Sequence, residues 1–413
     1  MTDAPLGSGK SSRWAWAVVD LGAIRHNTNV LATMAAPAAL WAVVKADGYG
    51  HGAVPVARTA LASGASGLCV ALVQEGMELR AAGIDAPILV LSEQPPEQST
   101  DLVAADLIAT VYERATVEAL ASAVRASGRV MPLPVHVKID TGMHRVGAAT
   151  RDAAAIVKAV RGCSELRLAG VFTHLAKADE PDDVATVAQL DEFDRVVASL
   201  ALSNDVVVHA ANSAGLLAHQ RAHCSLVRAG IALYGLAPGP ALRSAVNAGD
   251  RPFSAAVRPR PETDRNREPA TSASASAVSL RPAFALRARV GFVKRVEAGD
   301  RISYGLRHEF GRATNVATIP IGYADGVPRR LFDCGGELLI GGRRRPIVGV
   351  VTMDQLMVDC GDDPVAVGDD VVLIGHQGDE TITLDDWADS LGTINYELVC
   401  QISARVPRRY VGG

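Results

Sequence analysis

Lys45 closes an apolar run, Leu40-Trp41-Ala42-Val43-Val44, and is followed by Gly48, Gly50 and Gly52 with Tyr49 and His51 between them. A lysine amine at the carboxyl end of a buried strand can form an imine with a carbonyl compound, and glycines let backbone approach a ligand closely. Other chemistry-bearing residues follow apolar runs in the same way. Lys138, Asp140 and Arg145 stand in VKIDTGMHRVG, His174 in VFTHLA, Asn212 and Ser213 in HAANSAG, and Arg228, Gly230 and Ile231 in VRAGIALYG. Each alone has a bland explanation: a strand-end histidine is more often structural than catalytic, and lysine with glycines makes a solvated turn. Together, a lysine, two arginines, a histidine and small residues suit Schiff-base chemistry on pyridoxal phosphate. That cofactor needs an amine, backbone N–H groups and hydroxyls for its phosphate, and a partner for its pyridine nitrogen. Ser213, Gly230, Ile231 and Tyr49 are the candidates for the phosphate.

The elements that position these residues alternate. Strand-like runs occur at Leu40–Lys45, Gly67–Ala71, Pro87–Leu91, Leu107–Val111, Val135–Ile139, Leu168–Phe172, Val206–His209 and Val227–Leu233. Helical patterns at Val54–Ser63, Val73–Ala82, Ala115–Ala126, Asp152–Val160 and Val184–Leu200 lie between them, and Leu21–Met34 reads as a helix that Asp20 can cap. Alternating β and α with near-continuous apolar strands means a parallel sheet buried on both faces. About eight units of roughly 20–35 residues point to a (β/α)8 TIM-type barrel, whose chemistry sits at the carboxyl ends of the strands. An open doubly wound sheet is the alternative, but no G-x-G-x-x-G fingerprint follows an early strand.

The character changes after Gly235. Residues 238–280 mix Pro, Arg, Ser and Ala without periodicity and are expected to form a low-complexity, flexible insertion. From Phe284 onward, short alternating runs (Leu286–Val290, Leu338–Gly342, Val371–Gly375) are punctuated by Gly and Asp, with one helix near Leu384–Leu391, as in a mainly β domain. The expected organisation is therefore a Gly/Ser-rich, disordered 1–12, a cofactor-binding barrel over 13–237, the insertion, and a mainly β C-terminal domain over 281–413.

Composition narrows the function classes. The 413 residues carry 41 Lys plus Arg against 45 Asp plus Glu, a net charge of -4, with no electrostatic footprint for nucleic acid or an anionic membrane. Arg343-Arg344-Arg345 reads as a solvated turn. The six cysteines are dispersed without a C-x-x-C pair, so neither a metal site nor a disulfide framework is expected. No apolar run approaches the roughly 18 residues of a membrane span. A soluble, cytoplasmic protein is expected.

Ordered along the chain, LWAVVKADGYGHG, VKIDTGMHRVG, FTHLAKAD, ANSAG, RAGIALYGL, ISYG, IPIGYADGVPRR, TMDQLMVD and TINYELVCQISARVPR closely resemble the motifs of bacterial alanine racemase, from about Trp14 to Tyr410 and leaving out the insertion. The resemblance implies a pyridoxal 5'-phosphate-dependent isomerase with a barrel and a β domain, working as a homodimer with shared active sites and supplying D-alanine for peptidoglycan precursors. It implies that Lys45 holds the cofactor and serves as the base on the D-alanine side. Tyr304, in ISYG, would be the second base, acting on the L side from the other subunit. His174 would hydrogen-bond Tyr304, and Arg228 would polarise His174 and face the pyridine nitrogen. Tyr49, Asn212, Ser213, Gly230, Ile231 and Tyr396 would complete the cofactor's surroundings. Arg145 and the Met353 backbone N–H would take the substrate carboxylate. Lys138 matches a lysine that many members carry as a carbamate. Tyr323, with Tyr396, matches residues that narrow the entry, and Asp179 and Arg329 match its outer part.

The chain departs from the family pattern in three places. Val350 stands where an arginine is usual, and His144 stands beside Arg145 where a small residue is common. The connection at 238–280 is roughly 30 residues longer than the family's usual one, beyond ordinary loop lengths. Competing readings are a racemase of broader substrate range, an amino-acid decarboxylase of the same architecture, and a non-catalytic cofactor carrier. Arg228 with ISYG and TMDQ argues against the second, and the C-terminal domain against the third.

Overall fold

The structure is a computed structural model that describes residues 13–246 and 278–413. The described residues form two compact units, one of residues 23–48, 53–246 and 278–282, the other of residues 13–22, 49–52 and 283–413. The first strand, β1 (Ala15–Asp20), belongs to the second unit, which corrects the expectation that the barrel begins at residue 13. It pairs antiparallel with Phe284–Arg289 (Ala15 opposite Ala288) and parallel with Arg408–Val411 (Ala17 opposite Arg408). These partners are far away in sequence, so nothing local to residues 15–20 announces the pairing.

The larger unit is a closed barrel. Its strands are β2 (Ala39–Val43), β3 (Ala65–Val70), β4 (Ile88–Val90), β5 (Ala109–Val111), β6 (Leu133–Asp140), β8 (Leu166–Phe172), β9 (Val207–His209) and β10 (Leu226–Ala229); a two-residue strand, β7 (Ala148–Ala149), lies beside β6. One parallel sheet runs β10-β2-β3-β4 and another β5-β6-β8-β9. The Val90 N–H donates to Ile108 O at 3.0 Å and joins the two sheets; the Ser225 N–H donates to Val208 O at 3.0 Å and closes the ring. Residues such as Ile88, Leu89 and Val90 are fully buried, as strands covered on both faces must be. Helices fill the crossovers. Arg114–Ser127 buries Val117, Leu120, Ala121 and Val124, a stripe at helical spacing, and ends at Gly128 with φ 68°. Val184–Ser199 begins at Asp183, whose carboxylate accepts from the Ala185 N–H at 2.8 Å. Helices at Ser99–Ala104 and Ser213–Ala218 had no counterpart in the periodicity.

Two expectations need correction here. The last strand stops at Ala229 rather than Leu233, and Ile231–Tyr234 forms a 3₁₀ turn. A short, fully buried apolar run reads the same in either state. The ends of the expected insertion are ordered: Pro240–Val246 is helical, and the Val278 and Leu280 N–H groups donate to Ala245 O and Val246 O. Leu242, Val246, Val278 and Leu280 are buried. Apolar residues at these ends supply what the low-complexity middle lacks. That middle, residues 247–277, and the expectation for 1–12 lie outside the described residues.

In the other unit, β11 (Phe284–Arg289), β12 (Phe292–Val296), β13 (Arg301–Ile302), β14 (His308–Glu309), β15 (Thr314–Ile319), β16 (Glu337–Ile340), β17 (Arg343–Pro346), β18 (Leu356–Gly361), β19 (Asp370–Gln377), β20 (Glu380–Ile382) and β21 (Arg408–Val411) pair antiparallel, except that β21 runs parallel to β1. The main sheet runs β17-β16-β19-β11-β1-β21, and a second runs β12-β15-β18. Arg343–Arg345 is a strand rather than a turn, with Arg344 paired to Glu337 and Glu380 and Arg345 to Asp363. The helix Leu384–Leu391 is present, capped by Thr383 and Asp386, and a second follows at Asn395–Gln401.

Candidate active site

Lys45 lies just beyond β2, half-buried, at the start of an unusual turn. Ala46 (φ 53°), Asp47 (φ 51°), Gly48 (φ 60°) and Tyr49 (φ 51°) are consecutive left-handed residues. Only Gly48 among them adopts that conformation without steric cost. Side chains hold the others there. Glu75 accepts from the Ala46 N–H through one carboxylate oxygen, at 2.6 Å, and from the Ala71 and Leu72 N–H groups through the other. Asp47 Oδ1 accepts from the Ala53 N–H at 2.8 Å. The glycines after the turn have a packing reason: a Cβ on Gly50 would lie 2.5 Å from Val399 O, and one on Gly52 would lie 2.0 Å from Tyr410 Oη. The loop expected after Lys45 is thus one turn of left-handed helix.

Arg228 is buried on β10 and donates in several directions. Nη1 donates to His209 Nδ1 at 2.6 Å; Nη2 faces Thr173 O and Ala210 O, each at 2.9 Å, and His174 Nδ1 at 3.3 Å. Arginine has no acceptor, so both histidine Nδ1 atoms must accept. His174 is then the tautomer with its proton on Nε2. Burial lowers the His174 pKa well below its usual value, and the cations of Arg228, Lys138, Arg145 and Lys45 add to the effect, so the ring is neutral. Burial also lowers Arg228 to about 10, which leaves it charged at neutral pH.

Lys138 is 4% exposed, points inward from β6, and lies 5.6 Å above the Phe172 ring. Burial first, then Arg145 and Arg228, lower its pKa to about 8. Asp140 ends the strand and organises the loop that carries Arg145: its Oδ1 accepts from the N–H groups of Gly142, Met143 and His144, each at 3.0 Å. His144 has φ 55°, which explains why a small residue suits that position. Arg145 is exposed.

Asn212 caps Ser213–Ala218, its Oδ1 accepting from the Gly215 N–H at 2.9 Å. Ser213 Oγ accepts from the Gly230 N–H at 2.8 Å and the Ala232 N–H at 3.2 Å, so the ends of β9 and β10 are tied together where Ile231 begins its turn. Lys45, Lys138, Arg145, His174 and Arg228 act on one another electrostatically, and Ser213 and Gly230 meet directly. Asp179 packs against Gly239 in the same unit.

The remaining predicted residues belong to the other unit. The rings of Tyr49 and Tyr396 are 6.2 Å apart. Tyr304 is 75% exposed, on a turn between β13 and β14 whose Ser303, Gly305 and Leu306 all have positive φ. Ser303 Oγ donates to Val350 O at 2.9 Å, and the Tyr323 and Ala324 N–H groups donate to Thr352 O and Met353 O, each at 3.0 Å. Tyr304, Val350, Tyr323 and Met353 are thereby linked through neighbouring backbone. Val350 is 2% exposed, so the valine fills a buried space. Arg329 is exposed on a 3₁₀ turn.

Glu75 and His136 lie outside the motifs, and Phe172 and His209 lie inside two of them without having been singled out. His136 Nδ1 lies 2.9 Å from His209 Nε2. The Phe172 ring stacks on His209 at 4.6 Å and lies 5.2 Å from the Arg228 guanidinium carbon. All three sit within strands. Two imidazoles at inward-facing strand positions were the available signal.

The family model for the alanine racemase N-terminal domain matches residues 19–238, and that for the C-terminal domain matches residues 283–410. An alanine racemase of Symbiobacterium thermophilum is 44% identical over 403 residues, covering 97% of this chain and 98% of that protein. One from Thermobifida fusca is 42% identical over 406 residues, covering 97% and 99%. The crystal structure of alanine racemase from Bacillus anthracis with bound L-Ala-P superposes with a TM-score of 0.83 at 36% identity, covering 97% of this chain and 96% of that one. Barrel, β domain and sequence agree along the chain's length: it belongs to the alanine racemase family and is an isomerase.

Proposed function

We propose that this chain carries out its family's interconversion of L- and D-alanine on pyridoxal 5'-phosphate, with Lys45 and Tyr304 as opposed bases. The chemistry of the donor set fits that cofactor. Lys45 supplies an amine to hold it covalently, and Ser213, the backbone at Gly230 and Ile231, and Tyr49 suit its phosphate. Tyr396 and Asn212 complete its surroundings. When bound, pyridoxal phosphate supplies an electron-withdrawing ring that acidifies the amino acid's α-hydrogen.

The chain's own residues do the rest. Lys45 moves a proton on the D-alanine side and Tyr304 on the L side, because inversion requires removal from one face and return on the other. An ordinary tyrosine, with pKa near about 10, is a weak base at neutral pH. Support comes from His174, whose Nε2–H is available to hydrogen-bond Tyr304 and stabilise its deprotonated oxygen. Tyr304 would come from the partner subunit of a homodimer; its 75% exposure supports this reading, since a catalytic tyrosine is expected to be covered. Arg145 and the Met353 N–H would bind the substrate carboxylate. Lys138, as a carbamate, would orient Arg145; its depressed pKa supports the neutral amine that reaction with carbon dioxide requires. Tyr323, Asp179 and Arg329 would line the entry. We place the reaction in the cytoplasm, feeding D-alanine to peptidoglycan precursors.

The observation that carries the proposal is Arg228. Were this buried guanidinium to face the pyridine nitrogen, it would keep its own proton and leave the ring nitrogen unprotonated, whereas a carboxylic acid would protonate it. Electron withdrawal would then be limited, which would favour return of the proton over side reactions such as transamination. The purified protein should show a visible band that borohydride bleaches and should racemise either alanine enantiomer, and Lys45→Ala should lose both properties. Full racemase activity in Lys45→Ala would overturn the proposal.

A further inference from the structure

Inside the barrel, beyond the groups assigned above, His136 is 1% exposed and His209 is fully buried. Their hydrogen bond continues the one that Arg228 Nη1 makes to His209 Nδ1. The direction of this row follows from valence alone. Arg228 can only donate, so His209 Nδ1 accepts, and a neutral His209 carries its proton on Nε2. That proton faces His136 Nδ1 at 2.9 Å, so His136 Nδ1 must accept in turn. The reverse direction would require His209 to accept at both nitrogens, which a neutral imidazole cannot do. Burial, reinforced by Arg228, lowers His136 to about 3 and takes His209 well below its usual value, in keeping with two neutral rings.

The barrel is shaped around His136. On the neighbouring strand, β8, Gly170 lies in register with His136, and a Cβ there would come within 2.7 Å of the imidazole Nδ1 and Cε1. The opposite side is covered by Trp41, stacked at 6.1 Å, and its ring in turn occupies the space above Gly67. Any side chain at position 170 would displace the edge of the ring that accepts the hydrogen bond.

We infer that His136 is a positioning residue, the terminal acceptor of a one-way relay from Arg228 through His209 that fixes the Arg228 guanidinium at the barrel mouth. Without the acceptor, the His209 Nε2–H is left buried and unpaired, and the competing tautomer would set a donor against Arg228 Nη1. Arg228 would then shift away from His174 Nδ1 and from the ligand it faces. The catalytic consequence rests on the proposed role of Arg228, but the tautomers do not.

Two variants test the relay in the cofactor-loaded enzyme. His136→Leu removes the acceptor at similar volume, and His136→Asn keeps an oxygen where Nδ1 stood. In protein labelled with ¹⁵N at histidine, His209 should show a protonated Nε2 and an unprotonated Nδ1. His136→Leu should shift the bound-cofactor absorption band and lower kcat in both directions by about tenfold, the value of one buried hydrogen bond. His136→Asn should restore band and rate. An unprotonated His209 Nε2 in the wild type, a folded His136→Leu with unchanged band and kcat, or an Asn variant that falls as far as Leu would each overturn the inference. The ¹⁵N measurement uses the protein as purified, so it decides the relay even if no alanine is turned over.

Discussion

Lys138 shows how one buried side chain takes its chemistry from its surroundings. Its folded pKa, about 8, lies below the ordinary value of 10.5 because burial and two arginines disfavour the cation. At pH 7 roughly a tenth of it is neutral, against fewer than about one in a thousand for an exposed lysine. The sign for stability follows. Folding favours the neutral amine, so the penalty for the cation is full below about pH 8, fades as pH rises toward 10.5, and is absent above that. In buffer free of carbon dioxide, Lys138→Met should therefore stabilise the protein at pH 7 by about 1–3 kcal/mol, measured by urea unfolding, with the gain vanishing near pH 10.5. A loss of stability at pH 7 would mean that the ammonium is paired and that its burial is not the dominant effect.

At the scale of elements, the left-handed turn after β2 is the feature that most constrains the site. Ala46 is exposed at φ 53°, where a Cβ is a steric liability. Ala46→Gly should consequently stabilise the protein by about 0.5–1 kcal/mol, less than the full strain because glycine also widens the unfolded ensemble. The midpoint of urea unfolding should rise with an unchanged slope; a fall would show that the methyl packs favourably. The barrel strands, and the longer helices between them, were legible because continuous apolar runs and helical stripes carry their own signal; the six-residue helices at Ser99–Ala104 and Ser213–Ala218 are too short to carry one. The turn was not: nothing in Ala46 or Asp47 as residue types announces positive φ, and the restraint comes from Glu75 on a helix beyond the next strand. Nor were His136 and His209 legible as partners. Each sits within an apolar run, and only the closed barrel turns β6 and β9 toward the same interior.

At the scale of the whole molecule, the chain is read most securely where many ordered motifs agree and least where pairing is long-range. β1 illustrates the second case, since its sheet partners lie near residues 284 and 408. The proposed chemistry also divides between the units: Lys45, Lys138, Arg145, His174 and Arg228 belong to the barrel, and Tyr304, Tyr323 and Met353 to the β domain. In the proposed homodimer, Lys45 of one protomer works with Tyr304 of the partner subunit. The direct test of two opposed bases is α-hydrogen exchange in deuterated water, followed separately from each alanine enantiomer in wild type and in Tyr304→Phe. Removing the tyrosine should slow abstraction from L-alanine by orders of magnitude, about 10²–10⁴-fold as for a lost general base, and affect abstraction from D-alanine far less. Equal slowing from both enantiomers would contradict the two-base account.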